Sequence, residues 1–465
     1  MNFSPEELEI CLNVLQQVSD NPSAIDNVRF NTLVAKIHKQ GRKKARRTIR
    51  EIQQAEDNSL RASALIVKNQ YQEVSEKLLP TCSKFVRETP NKQELNKPIN
   101  CYICKREYTQ VNFFYHSLCP QCAEFNYQKR HQSTDLSGRV ALVTGGRIKI
   151  GYQTALRMLR DGAKVIVTTR FPQDCAKRFS AEADFFNWCD RLQIHGLDLR
   201  NLPAVEAFIN YLINAEASLD IMIHNAAQTV KRPLEFYQHL LEDDCKQIEL
   251  LSSGIIKFKN ADNPSDFVLE PQDKYEANLA VNSHVYFPKN TFDIEGQQLD
   301  MRPINSWMLK LDEVSTVEML EVQLVNNIAP FILNSKLKKL MIQSKFERRF
   351  IINVSAMEGQ FNRRSKTVYH PHTNMAKAAL NMMTRTSAAD YVKDGIYMNS
   401  VDTGWITDEN PYSKKIFLQE ERNFFTPLDI IDGMARIYDP IVMGLENDET
   451  PVYGLFLKDY MPYAW

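Results

Sequence analysis

The chain has 465 residues, and its 57 Lys and Arg against 57 Asp and Glu give a formal net charge of zero. That balance exerts no overall pull toward nucleic acid or an anionic membrane. Hydrophobic content of 43% and charged content of 25% are ordinary for a folded protein, and the length suits about two or three domains. No run approaches the ~18 apolar residues of a membrane span. The acidic, amphipathic start "MNFSPEELEICLNVLQQVSD" lacks the basic-then-apolar layout of a signal peptide. A cytoplasmic protein is expected, with the nucleus as the alternative and no membrane partner.

Residues 5–20 and 28–75 read as helices, the first with Ser4 as N-cap and Pro5 at the first helical position. The run "HKQGRKKARRTIRE" carries Lys39, Arg42, Lys43, Lys44, Arg46, Arg47 and Arg50. These positions are expected to wrap most of the helix circumference. They read as a solvated surface, and nucleic acid is not the expected partner. Residues 88–100, "ETPNKQELNKPIN", are polar and weakly periodic and read as a linker.

Next come "CYIC" and "CPQC", two CxxC pairs separated by fourteen residues. Cys101, Cys104, Cys119 and Cys122 can complete a tetrahedral thiolate site, the preference of structural zinc, with no coordination position left open for catalysis. His116 is a rival ligand or an outer donor. The module reads as a brace on the adjoining domain or as a partner-binding finger. The other five cysteines, Cys11, Cys82, Cys175, Cys189 and Cys245, are scattered and odd in number, unlike a disulfide framework.

From "RVALVTGG" onward, apolar strands alternate with helices: a helix from Gln153, the strand "AKVIVTTR", a helix around 180–192, the strand "LQIHGLDL", a helix at 203–214 and the strand "LDIMIHNAA". Such a pattern predicts an α/β fold with a parallel sheet covered on both faces. Residues 228–315 interrupt it as a polar insertion. It resumes with "STVEMLEVQLVNNIAPFIL", "FERRFIINVSA", a helix from about 373 and "IYMNSVDTGW". The expected organisation is a helical region over 1–95, a zinc module over 96–132 and the α/β domain over 133–465. The glycine-bearing turn in "RVALVTGGRIKIGYQTALRML" lies between strand and helix, where backbone amides can meet a pyrophosphate.

Residues from about 136 to 460 resemble the short-chain dehydrogenase/reductase superfamily. Its TGxxxGxG loop aligns with Thr144, Gly145, Gly146 and Gly151, and Ile150 lies within it. Its adenine-contacting Asp aligns with Asp198, followed by Leu199. Its NNAG segment aligns with Asn225, Ala226 and Ala227, its active-site Asn with Asn326, and its YxxxK lysine with Lys377. Its PG-x-x-x-T segment is similar to "TGWIT", with Gly404 and, one position early, Thr407. The resemblance implies a Rossmann-type doubly wound sheet, a nicotinamide dinucleotide and a small-molecule substrate.

The departures are as informative. Lys149 stands where the loop has its middle glycine; its side chain either obstructs a pyrophosphate or binds one. No carboxylate follows the second strand, where Thr169 and Arg170 stand. Arg170, with Arg147 and Lys149, favours the 2′-phosphate of NADP, leaving NAD as the alternative. The family's tyrosine position holds Thr373, which cannot ionise usefully near neutrality, and its serine position falls on Ala356, beside Ser355.

Three explanations stand open. A neighbour substitutes, with His372, His370 or Tyr369 as acid and Ser355 for the serine. The chemistry needs no strong acid, as in hydride transfer to a polarised carbon–carbon double bond. Or the site binds nucleotide without turnover. The leading expectation is an atypical NADP-dependent oxidoreductase using Asn326, Lys377 and His372. The alternative is a catalytically silent scaffold. It would work through the zinc module and the insertion, read as a lid, a protein-docking surface or an oligomer interface.

Overall fold

The computed structural model describes residues 4–21, 27–70, 94–241, 256–258, 283–293, 295–363 and 365–465. The end of the second expected helix (71–75), part of the expected linker, much of the insertion, Cys82 and Cys245 lie outside these residues. Helix α1 spans Pro5–Asp20 and is closed by a capping box, in which Ser4 Oγ accepts from the Glu7 amide and Glu7 accepts from the Ser4 amide. Helix α2 spans Val28–Ala62, capped by the Asn27 side chain. It ends at Ala62, a turn follows at Ser63–Ala64, and residues 65–70 are helical again, with the Leu65 and Ile66 amides donating to Phe113 O and Phe114 O. No helix among the described residues is long and apolar enough to cross a membrane.

The expected linker contains a strand. β1 (Glu94–Asn100) pairs antiparallel with β2 (Glu107–Gln110). Only Leu95 of β1 is buried, so the strand shows no apolar alternation. It is held instead by its partner and by α2, whose Asp57 accepts from the Asn96 amide at 2.7 Å. Helix α3 (Pro120–Lys129) starts from Cys119 with Pro120 at its first position.

The main domain is built from β3 (Val140–Thr144), α4 (Lys149–Arg160), β4 (Lys164–Thr169), α5 (Pro172–Ser180), β5 (Leu192–Gly196), α6 (Leu202–Ala215), β6 (Ile221–His224) and β7 (Ile256–Phe258). It continues with α7 (Thr316–Gln323), α8 (Ala329–Ile342), β8 (Arg349–Ser355), α9 (Pro371–Tyr391), β9 (Ile396–Asp402), α10 (Tyr412–Arg422), α11 (Ile430–Glu446), β10 (Phe456–Lys458) and β11 (Met461–Tyr463). One sheet has the order β11-β10-β9-β8-β6-β3-β4-β5-β7, parallel throughout except for β11. The strands are apolar on both faces because both are covered. Leu156, Phe179 and Ile437 of α4, α5 and α11 fill one side. Phe208, Leu337 and Ala388 of α6, α8 and α9 fill the other.

Two expected boundaries move. α4 begins at Lys149 rather than Gln153. The helix expected at 180–192 is replaced by α5, started by Pro172 at its first position, and by two short 3-10 turns. Trp188, in the segment expected to be helical, is buried against Phe179 and Phe185. The apolar residues there plug the core from a turn.

The four thiols converge. Their sulfur atoms all lie within 4.8 Å of one another, and Cys104 Sγ is 3.7 Å from Cys119 Sγ. A tetrahedral ion with ~2.3 Å bonds to sulfur requires separations of about 3.8 Å, so this donor set fits zinc. The converging set does not include His116, which is buried next to Arg61 and Phe425. The module packs on the segment after β9, with Tyr108, Tyr115 and Leu118 in one core with Ile406, Phe425 and Leu428. Tyr102 Oη accepts from the Trp405 amide at 3.0 Å. Arg130 pairs with Asp429 at 2.6 Å and with Asp432 at 3.0 Å, and Tyr115 donates to Asp432 at 2.5 Å. Asp432 has no solvent exposure, so every donor it meets is supplied by protein. Tyr115→Phe removes one of them. The expected loss is about 1–3 kcal/mol of stability, read as a lower midpoint in urea unfolding.

Candidate active site

A cleft of about 710 Å³ opens at the carboxyl ends of the parallel strands. It lies where the sheet order reverses, with β4 on one side of β3 and β6 on the other, the usual ligand position in such sheets. Gly145 turns with φ +69°, and a Cβ there would come within 2.8 Å of Ala226 Cα. A Cβ on Gly151 would lie 2.3 Å from both Asn225 Nδ2 and Gly145 O. Asn225 Nδ2 donates to Thr144 O at 3.2 Å and to Gly145 O at 3.1 Å, tying the two loops together. Thr144 lies beneath the wall, where its hydroxyl accepts from the Ala226 amide at 3.1 Å.

Lys149 takes φ +53°. The left-handed conformation that glycine adopts freely is therefore kept here by a lysine, at a cost of roughly 1–2 kcal/mol. Its side chain does not stand alone. Burial raises the carboxyl pKa of Glu295 of the insertion, and Lys149 opposes that rise. Glu409 is held below the usual carboxylate range despite its burial, by Lys149, Thr407 and Arg232. Ile148, at the N-cap of α4, offers no side-chain cap. Lys149, Ile150 and Gly151 all line the cleft, so this helix start accepts a negative group from the cleft side.

Other nucleotide candidates are partly engaged. Arg147 is not a free cation: it pairs with Asp174 at 2.6 Å and donates to Gln297 of the insertion at 2.6 Å. It acts as a bracket between the loop and the insertion. Arg170 lines the cleft, donates to Tyr237 Oη at 2.7 Å and lies over the Tyr237 ring. Asp198 lines the cleft beside Leu199, with its carboxylate held by Arg200 at 2.6 Å. Ala226 and Thr407 are on the wall, and Thr407 donates to Glu409 at 2.7 Å. Gly404, at φ +82°, sits behind Thr403, and a Cβ on it would meet Leu428 at 2.6 Å.

The catalytic candidates divide. Lys377 and Ser355 line the cleft, next to Ala356. Lys377 Nζ donates to Val354 O at 2.8 Å, and its burial pushes the ammonium pKa down to about 8. Ser355 Oγ is 2.6 Å from Asn381 Oδ1. Asn326 is buried in a π-turn over Leu324–Ile328 and bonds the backbone of Gln228 twice, at 2.7 and 3.1 Å. It shapes the wall without lining it. His372 is turned away: it is 2% exposed, absent from the cleft wall, and its Nε2 is 3.4 Å from Glu318 of α7. Thr373 is also buried off the wall. His370 stacks on Trp307 with ring centroids 3.8 Å apart, and neither it nor Tyr369 reaches the wall. The expected histidine substitutes therefore do not face the cleft.

The residues that sequence reasoning missed come mainly from the insertion. Arg232, Tyr237, Glu295, Asp300 and Arg302 line the cleft. Arg232 and Arg302 share Asp300, Arg302 at 2.6 Å. Burial and Arg302 lower the Arg232 pKa to about 10. Glu321 of α7 accepts from Arg200 at 2.9 Å and from Gln228 at 3.0 Å. Apart from the adjacent pair Asp300 and Arg302, these residues meet partners distant in sequence, so no spacing marks them. The metal-ligand candidates stand off the wall, behind the segment they brace.

A profile described as short chain dehydrogenase matches residues 139–253 and 304–417. An uncharacterized protein, R665 of Acanthamoeba polyphaga mimivirus, is 33% identical over 353 residues, covering 73% of this chain and 71% of that protein. Dehydrogenase/reductase SDR family member 13 of Bos taurus is 38% identical over 96 residues, covering 20% of this chain and 24% of that protein. A short-chain dehydrogenase/reductase of unknown function from Caenorhabditis elegans, solved with cofactor, has a TM-score of 0.45 at 15% identity, covering 70% of this chain and 94% of its own. With the glycine turn, the strand order and the buried lysine in place, the chain belongs to the short-chain dehydrogenase/reductase superfamily.

Proposed function

We propose that the protein is an NADP-dependent oxidoreductase acting on a carbonyl, alcohol or enone, with Lys377 as the group that carries the proton. The observation that carries this reading is that Lys377 and the glycine turn line one cleft. The residues fit a nicotinamide dinucleotide. Gly145 and Gly151 keep the turn close, and the start of α4 faces the cleft. The pyrophosphate would lie at this helix start, with Lys149 beside it. Arg170, with no acid at the end of β4, suits a 2′-phosphate. When bound, the nicotinamide supplies or accepts hydride.

This chain's own residues supply the rest. Lys377 holds a proton at Nζ on the cleft wall, with a pKa lowered to about 8 by burial, a value suited to general acid–base work. Ser355 offers a hydroxyl to orient a substrate oxygen. Asn326 and Gln228 keep the wall in register. The cysteine quartet is read as a structural zinc site that stiffens the wall from behind.

Side-by-side titration should give tighter binding for NADPH than for NADH, and Arg170→Ala should remove about tenfold or more of that preference. Binding of neither nucleotide would overturn the reading. Substrate reduction needs the protonated lysine, so its rate should fall as pH rises through about 8. Lys377→Met should lower turnover about 10²–10⁴-fold, whereas His372→Ala should leave the pH profile in place. Metal analysis should find one zinc per chain. Chelation or Cys104→Ser should lower the melting temperature and loosen the 403–430 wall, measured by hydrogen exchange.

A further inference from the structure

Helix α2 projects from the molecule over most of its length. From Val28 to Ile52 no residue is buried, and only its end docks, through Gln53, Glu56 and Asp57 against Asn96. Between residues 28 and 50 it carries nine Lys and Arg and no Asp or Glu, in a chain of zero net charge. Given the observed helix, these charges do not wrap the circumference evenly. At 3.6 residues per turn, Arg29, Lys36, Lys39, Lys43, Arg46, Arg47 and Arg50 fall in one sector about 100° wide and about 32 Å long. Arg42 and Lys44 flank it. Arg47 has one acidic neighbour, Glu51, in a largely exposed pair. The remainder of the stripe faces solvent.

The opposite face distinguishes the kinds of anionic partner. Phe30, Val34, Ile37 and, past the basic segment, Ile52 lie there, with Ile49 to one side, but directly behind the densest basic segment the same face has Gly41, Ala45 and Thr48. An anionic membrane surface would need large apolar side chains at that level to insert. A phosphate backbone needs only the cations, held in a straight row. The stripe spans about one turn of a B-form duplex, 34–36 Å.

We propose that this face of α2 binds the sugar-phosphate backbone of a nucleic-acid duplex, without reading sequence. The test uses the full chain and a labelled random-sequence DNA duplex, followed by fluorescence anisotropy. Binding should weaken with salt at a slope of about −5 in log K against log salt, the signature of five or six neutralised phosphates. Reversing two charges on the stripe, Lys43→Glu with Arg47→Glu, should lower affinity about tenfold more than the same reversal beside it, Arg42→Glu with Lys44→Glu. Absence of duplex binding, equal loss from the two pairs, or binding to phosphatidylserine vesicles but not to duplex would each overturn the proposal. NADPH binding in the same variants checks that the body of the protein is intact.

Discussion

The site depends on the tie made by Asn225. Its amide donates to two carbonyls of the glycine turn, across the point where the strand order reverses. A parallel sheet leaves a crevice there because the connections from β3 and β6 run to opposite faces. The tie fixes how wide that crevice is. Gly151 has no room for a side chain because Asn225 Nδ2 and Gly145 O occupy it. The turn, the strand ends and the lysine on α9 therefore share one frame.

On that frame the insertion has added a second set of charges. Arg147, on the cleft wall, is held by Asp174 and Gln297, and Glu295 and Glu409 lie within the field of Lys149. A ligand anion at this turn therefore meets carboxylates of the protein as well as Lys149.

The sheet was legible because strands buried on both faces must be apolar, and the cysteine pairs because a tetrahedral ion sets their spacing. β1 was not legible, since a polar strand held by a partner and a helix has no pattern of its own. His372, expected at the cleft, lies off its wall for a reason of helical geometry. On a helix beginning at Pro371, position 372 points about 140° away from position 377. Thus His372 turns toward Glu318 while Lys377 faces the cleft. The role of Arg147 was hidden because Asp174 and Gln297 lie far along the chain. The exposure of α2 could be seen only once its neighbours were known.

The stack of His370 on Trp307 joins the end of the insertion to the start of α9. The chain has only four tryptophans, and this one lies flat against an imidazole a few residues from Lys377 in sequence. Its indole emission is therefore sensitive to the distance between insertion and α9. The protein thus carries a built-in optical gauge of the contact between the insertion and α9.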